Sequence, residues 1–358
     1  MIKDKSILIK NIYYMLSYAF TTLNQGEYED MAKESFDHIH DLFAAILAKG
    51  IARQLKQGLY REYIGKEENL TELRGKIDLN GTIRNRMAKK QQLSCEYDEL
   101  SENILLNQIL KTTAFLLMRH PDVAIDHKIL LKQEMLFFSN VDTVKQPTMV
   151  RWSNIRFHRN NVSYRMLISL CQLILEGMLL TNEQGEYRLA SFLDQQHMER
   201  LYEKFILEYF QQEHRGKLKA EASQVKWAIN EGVGTMLPTM QTDITLSKGK
   251  NVLIIDAKYY TKTLQSQYDT YSIHSGNLYQ IFTYVKNKTA GFKDDPHTVS
   301  GMLLYAKTDE QIQPDQEYNL DGNWFYVKTL DLNCSFELIR EQLDQIADAV
   351  SNPEKLQN

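Results

Sequence analysis

Asp243, Asp256 and Lys258 fall within a short part of this sequence, residues 236–260, and their types suit one chemistry. Two neighbouring carboxylates repel when both are ionised, and a divalent cation relieves that repulsion. Oxygen-only ligands favour Mg²⁺, with Mn²⁺ as the alternative ion, bound through one or two carboxylates plus substrate phosphate. Such an ion lowers the pKa of a bound water and neutralises charge developing on a phosphate. A lysine beside it can orient the attacking water or stabilise the pentavalent phosphate as a point charge. The ordinary alternative for a lone Asp-x-Lys is a salt bridge at the end of a strand, because such tripeptides are common.

The elements around the three residues decide between these readings. Residues 237–246 carry β-branched side chains at Thr239, Thr242, Ile244 and Thr245, and 247–251, Ser-Lys-Gly-Lys-Asn, read as a polar turn. Val252-Leu-Ile-Ile255 is a continuous apolar run, the signature of a buried strand. Side chains two apart on a strand share a face, so Asp256 and Lys258 emerge together. A hairpin about the turn sets Asp243 opposite Asp256. Downstream, residues 277–284 read Asn-Leu-Tyr-Gln-Ile-Phe-Thr-Tyr, where Gln280 and Tyr284 share one face of a helix.

Asp243 followed thirteen positions later by Asp256-Ala257-Lys258 resembles the signature of the PD-(D/E)xK nucleases, with Thr242 in the place of the proline. The Gln280–Tyr284 spacing resembles the Q-x-x-x-Y helix of the RecB-like branch. That resemblance implies Asp243, Asp256 and Ala257 as the metal-holding set, Lys258 as the catalytic lysine, and Gln280 as a further residue of the active site. It also implies an acid on the helix preceding the catalytic strands. In 198–212, Met198, Leu201, Tyr202, Phe205, Ile206 and Tyr209 form the apolar stripe. Glu203, at the flank of that stripe, is the candidate acid.

The 358 residues suffice for two domains with a substantial core. Hydrophobic residues make up 43% and charged residues 25%, ordinary for a globular chain, and the net charge is −4. No overall basic character advertises nucleic acid, so a nuclease of this charge needs a local basic groove or a partner that grips DNA. Cys95, Cys171 and Cys334 are scattered and odd in number, which argues against a disulfide framework, a zinc site or a four-cysteine iron–sulfur cluster. The pair His38 and His40 lacks the companions of a metal site. No signal-peptide pattern or membrane-length apolar run occurs, so a cytoplasmic protein is expected.

In chain order, helical spacing is predicted over 9–23 and 36–59, and strands over 61–64 and 73–79, with Asn80-Gly81 as a turn. Arg84, Arg86, Lys89 and Lys90 form a basic run, either a solvated face or a phosphate or partner contact. An acidic stretch, 95–102, leads into a helix over 103–118 that Ser101 can cap. Residues 135–147 read as a helix-to-loop transition, 150–157 as strand or loop, and 164–180 as helix. Beyond the 198–212 helix come strands at 224–229, 300–306 and 324–329 and a helix over 336–350. The order of elements predicts an α/β fold, and the PD-(D/E)xK resemblance implies that its C-terminal part is a restriction-endonuclease-like mixed sheet flanked by helices, preceded by an α+β N-terminal domain.

The blocks KNIYYMLSYAF, RGKID, CEYDELSENILLNQIL, IIDAKYY and NLYQIFTYV together resemble the McrC family, nuclease subunits of GTP-dependent modified-cytosine restriction systems. The resemblance implies residues 1–160 as a domain that docks on, and stimulates, a hexameric McrB-like AAA+ GTPase, and 161–358 as the endonuclease domain cutting double-stranded DNA. It assigns GTP, and recognition of methylated DNA, to the partner. Consistent with this, Gly216-Lys217 is followed by Leu218 and Gly249-Lys250 by Asn251, so neither is a P-loop. The alternatives are a stand-alone RecB-like nuclease of DNA repair or another defence system, and a non-catalytic adaptor of an AAA+ ring. Clustered charge at a strand end favours a nuclease over an adaptor.

Overall fold

The computed structural model describes residues 3–4, 7–20, 34, 36–181, 187–190, 193–260, 263–267, 270–293 and 295–351. The chain forms two compact units, Met1–Leu42 with Ser191–Asn358, and Phe43–Ala190. These packing units differ from the expected division at residue 160. The N-terminal helix Ile9–Ala19 is the reason: it packs on the helix Gln195–Glu213 of the first unit. Asn11 donates to the carbonyls of Leu332 and Cys334, each at 2.8 Å, and the Tyr14 ring stacks on Phe336 at 4.1 Å. Residues 21–23, the end of the predicted first helix, lie outside the described residues.

The first unit is built on a mixed six-stranded sheet flanked by helices. Its order is Gln316–Leu320, Asn323–Leu330, Thr298–Ala306, Asn251–Lys258, Ile244–Lys248, Lys219–Glu221. The three central strands run parallel, and the outer three pair antiparallel. Parallel strands need a crossover, and the helix Ser275–Phe292 supplies it between Asn251–Lys258 and Thr298–Ala306. Its Ile281 and Val285 pack with Val252, Ile254, Val299, Leu303, Tyr305, Phe325 and Val327. Strands buried in this way on both faces read as unbroken apolar runs, which is why 252–255 and 300–306 are legible.

The predicted turn at 247–251 is tighter than expected. Ile244–Lys248 and Asn251–Lys258 pair from Ile244↔Ile255 to Lys248↔Asn251, leaving only Gly249 and Lys250 in the turn. The predicted strand at 237–246 is broken: Met240–Gln241 pairs with Gln224–Val225, and Ile244–Lys248 belongs to the main sheet. The strand expected at 224–229 is accordingly just Gln224–Val225. The edge strands Lys219–Glu221 and Gln316–Leu320 carry too little apolar alternation to announce themselves. The closing helix is Phe336–Ser351.

The second unit holds helices Leu105–Arg119, Ile125–Met135 and Arg165–Met178, most of Ile39–Gln57, and a three-stranded antiparallel sheet. The sheet's order is Glu62–Leu70, Leu93–Ser101, Lys76–Ile77. The acidic stretch 95–102 is therefore largely strand, with Cys95 and Tyr97 buried and Glu96 and Asp98 exposed in alternation. Asn80-Gly81 is no hairpin turn: it lies in the first turn of a helix, Leu79–Met87, because the Asp78 carboxylate accepts from both their N–H groups. The basic run thus begins on that helix. Ser101 caps the chain one step early, accepting from Asn103 N–H, and the following helix starts at Leu105. Residues 150–157 form loop around a short 3-10 turn, Trp152–Asn154. All three cysteines are free thiols, and no helix among the described residues is long and apolar enough to cross a membrane.

Candidate active site

Asp256 and Lys258 end the strand Asn251–Lys258, and strand alternation sets them on the face that carries Val252 and Ile254. The Lys258 ammonium lies 3.1 Å from Asp256 Oδ2, and both side chains are buried. Asp243 immediately precedes Ile244, whose register partner is Ile255, so Asp243 comes next to Asp256 as the hairpin reading requires. Its Oδ2 accepts from Ala257 N–H at 3.0 Å. Three of the predicted residues and the Ala257 backbone therefore meet at one point.

Thr242, which precedes Asp243, holds its stretch of chain through its own hydrogen bonds. Its N–H and hydroxyl both donate to Ser223 carbonyl oxygen, at 2.9 and 3.0 Å, and its hydroxyl lies 2.9 Å from that of Thr245. Ser223 N–H donates back to the Thr242 hydroxyl at 3.1 Å. These bonds fix the chain entering Asp243, a task that ring stiffness performs for proline.

Charge at the site is out of balance. Burial pushes the Asp256 carboxyl up to about 7, against the lowering influence of Lys258, and Asp243 adds to the rise. Asp243 is raised too, by burial, against the lowering influence of Lys258 and of the Ala257 N–H. Burial pulls Lys258 down, but Asp256 and Asp243 outweigh it and hold the ammonium above its ordinary value. The helix Gln195–Glu213, capped by Asp194, brings two more acids. Glu203 is pushed up to about 8 by burial, with Asp243 and Glu199 adding to it. Glu199, one turn earlier, is raised by burial and senses Lys258 and Asp243. Glu203 is the acid expected from the sequence, and Glu199 is an addition; their i,i+4 spacing on one helix face is the signal that points to it.

These residues fit a divalent cation. Four carboxylates face one ammonium, and Asp256 Oδ1 is buried without a hydrogen-bond partner. A buried carboxylate oxygen left without a hydrogen bond is costly, and a cation offsets that cost. The donors are all oxygen, as Mg²⁺ and Mn²⁺ prefer. Gln280 is less closely tied to this centre: its amide donates to the Tyr284 hydroxyl at 3.1 Å, and no hydrogen bond joins it to Asp243, Asp256 or Lys258 among the described residues.

Comparison with known proteins gives the lineage. The family model for the McrBC 5-methylcytosine restriction system component matches residues 3–306. The chain belongs to that family. It is 27% identical over 349 residues to the Type IV methyl-directed restriction enzyme EcoKMcrBC of Escherichia coli K12, covering 96% of this chain and 97% of the relative. Among solved structures it is similar to a half-complex from a tetradecameric assembly of Thermococcus gammatolerans McrB AAA+ hexamers with bound McrC. That match has a TM-score of 0.49 at 19% identity and covers 94% of this chain and 76% of the other. A cryo-EM structure of the Thermococcus gammatolerans McrBC complex matches with a TM-score of 0.40 at 21% identity, covering 58% and 59%. The matched span of the McrBC family model includes every candidate site residue named above.

Proposed function

We propose that this chain is the Mg²⁺-dependent endonuclease subunit of a GTP-dependent restriction complex that cuts DNA carrying methylated cytosine. The observation that carries the reading is the meeting of Asp243, Asp256 and Lys258 at a strand end, with Asp256 Oδ1 left unpaired. Membership of the McrBC family, and likeness over nearly its whole length to a methyl-directed restriction enzyme, supply the substrate class.

In this mechanism Asp243, Asp256 and the Ala257 backbone carbonyl would hold the ion, and Glu203 and Glu199 would supply further acid groups nearby. When bound, the cation neutralises charge on the scissile phosphate and lowers the pKa of water. Lys258 stays protonated, because two carboxylates flank it, and serves as a fixed positive charge toward the phosphate and the attacking water. The Asp256 ion pair orients the ammonium, and the Ala257 N–H holds the Asp243 carboxylate in place. Gln280 remains the proposed further residue of the site.

A McrB-like AAA+ GTPase is the proposed partner. This chain has no P-loop and a net charge of −4, so it lacks both a nucleotide motor and an electrostatic hold on a long DNA footprint. Residues 1–160 are the proposed docking and GTPase-stimulating region, working in the cytoplasm. The test combines the purified chain, the GTPase encoded with it, GTP, Mg²⁺ and duplex DNA with methylated cytosines. Cleavage is expected only with all components and is abolished by EDTA. Cleavage that survives exhaustive chelation overturns the metal mechanism, and full activity without the GTPase overturns the partnership.

A further inference from the structure

Beside Lys258 lies a polar clasp that the catalytic signature does not explain. The face of strand Asn251–Lys258 that carries Ile254, Asp256 and Lys258 continues to Tyr260, which packs against the same core cluster. In the parallel neighbour, the register partner of Lys258 is Tyr305, whose side chain is fully buried. Two tyrosines therefore flank the lysine, one along the chain and one across the sheet. Their rings lie 6.1 Å apart.

Asn277, in the first turn of the helix Ser275–Phe292, joins them. The Tyr260 hydroxyl donates to Asn277 Oδ1 at 3.2 Å, and Asn277 Nδ2 donates to the Tyr305 hydroxyl at 3.0 Å. Asn277 is 8% exposed, and both ends of its amide are occupied by phenols. Burying such a polar trio is expensive, and apolar residues of similar size would fill the space without that cost. The location gives the trio a use. Lys258 is the last residue of its strand, so the ladder with Thr298–Ala306 stops constraining the chain at the residue whose ammonium must be aimed.

We propose that Asn277 is a positioning residue for phosphodiester hydrolysis: by clasping Tyr260 to Tyr305 it fixes the end of the catalytic strand and the direction of the Lys258 side chain. The proposal rests on the nuclease reading and assigns Asn277 no contact with substrate. The clasp secures the chain on both sides of the ammonium, sequentially through Tyr260 and laterally through Tyr305. Without it, the Lys258 stem samples rotamers that leave the Asp256 pair.

The experiment uses the full chain with its GTPase partner on methylated duplex DNA. Wild-type protein is assayed first, and failure to cleave refutes the nuclease reading itself. Asn277→Ala is then expected to lower the single-turnover cleavage rate by about tenfold to a hundredfold, the scale of a small misplacement of a catalytic group. KM for DNA and stimulation of the partner's GTP turnover stay at wild-type values. Tyr305→Phe and Tyr260→Phe keep the rings, each removes one arm of the clasp, and each is expected to show part of the same loss. If Asn277→Ala fails to fold, Tyr305→Phe decides. Cleavage rates within about twofold of wild type in the folded variants overturn the proposal. So does a loss of rate matched by equal losses in DNA affinity and thermal stability, which marks a merely structural trio.

Discussion

Two strands of nearly equal length show how differently this chain uses β-structure. Asn251–Lys258 is buried at every position from Val252 onward, including an aspartate and a lysine. Glu62–Leu70 has no buried residue, and Tyr63 is 74% exposed. The first strand lies inside a sheet flanked by helices, where a charge is tolerated only if something compensates it. The second forms the edge of an open ribbon, where charges serve as solvent-facing pairs such as Lys66–Glu99 and Arg74–Glu99. A buried Asp–Lys pair in the first setting demands compensation and marks a candidate site; the same pair in the second is screened by water and implies little.

Neutralising charge in each setting is the largest contrast to test. Asp256→Ala, Asp243→Ala and Lys258→Ala are each expected to lower DNA cleavage by about a thousandfold or more, the scale of removing a preorganised electrostatic group. Partner GTPase stimulation is expected to persist. Glu99→Ala in the ribbon leaves cleavage chemistry unchanged. Cleavage assays paired with GTP-turnover assays on the same preparations measure both. Wild-type cleavage in any of the three site variants removes that residue from the mechanism.

The next contrast is steric. Gly301, in the central strand Thr298–Ala306, has no room for a Cβ, which would meet Ile281 Cγ1 at 2.8 Å and Val285 Cγ2 at 2.9 Å. Gly301→Ala pushes the crossover helix off the sheet and is expected to cost about 1–3 kcal/mol as overpacking. Gly75, beside the ribbon, has φ +68°, and a Cβ there would run into the Glu96 carbonyl oxygen. Gly75→Ala combines backbone strain with a backbone clash, and a comparable loss is expected. Denaturant midpoints give the two values. Cleavage is expected to suffer in the first variant, whose strand adjoins Asp256 and Lys258, more than in the second.

The same contrast explains what is legible in the sequence. The apolar run Val252–Ile255 and the polar turn before it are enough to bring Asp243, Asp256 and Lys258 together, since burial on both faces leaves a simple pattern. The ribbon leaves none. Cys95 and Tyr97 alternate with Glu96 and Asp98, but the acidic composition of 95–102 masks the strand. Asn80-Gly81 carries a hairpin signal, and the Asp78 cap overrides it to start a helix. The helix Ile125–Met135 shows almost no amphipathic pattern, with only Leu131 and Met135 buried, so periodicity cannot find it. Glu199 is legible only through its i,i+4 spacing from Glu203, and Asn277 does not stand out at all, because its partners are tertiary neighbours that spacing alone does not name.

A smaller effect comes from Glu134, on that same helix. Burial raises its carboxyl to about 8, and its Oε2 has no hydrogen-bond partner. The folded state keeps this proton after the unfolded state, near 4.5, has lost it. Stability is therefore complete below about pH 4.5 and declines as pH rises toward 8. Glu134→Gln is expected to add about 1 kcal/mol at pH 8, discounted for the water that reaches a half-buried group, and little at pH 4. Thermal melts at the two pH values check the sign. A pH-independent gain identifies the cause as packing.

The smallest effect on stability is expected where the ribbon's adjoining helix faces solvent. In Leu79–Met87, Leu79, Ile83 and Met87 recur every four residues, a helical stripe, yet they are 70%, 56% and 80% exposed. An amphipathic helix ordinarily turns such a stripe inward. Here it stays outside, with Arg84 and Arg86 between its members. If the stripe belonged to the core of this chain, making it polar would cost several kcal/mol. If it serves the proposed GTPase partner, Leu79→Ser, Ile83→Gln and Met87→Gln together change the unfolding free energy, read from denaturant melts, by no more than about 0.5 kcal/mol per site. The same triple variant then loses most of its stimulation of GTP turnover, while Arg84→Glu with Arg86→Glu loses part of it through reversed charge. Burying three apolar side chains at an interface outweighs two rim charges, so the apolar variant should show the larger deficit. Unchanged stimulation in both removes this helix from the docking surface. A deficit in the arginine variant alone makes the contact electrostatic, and raising the salt concentration should then weaken the wild-type complex in step.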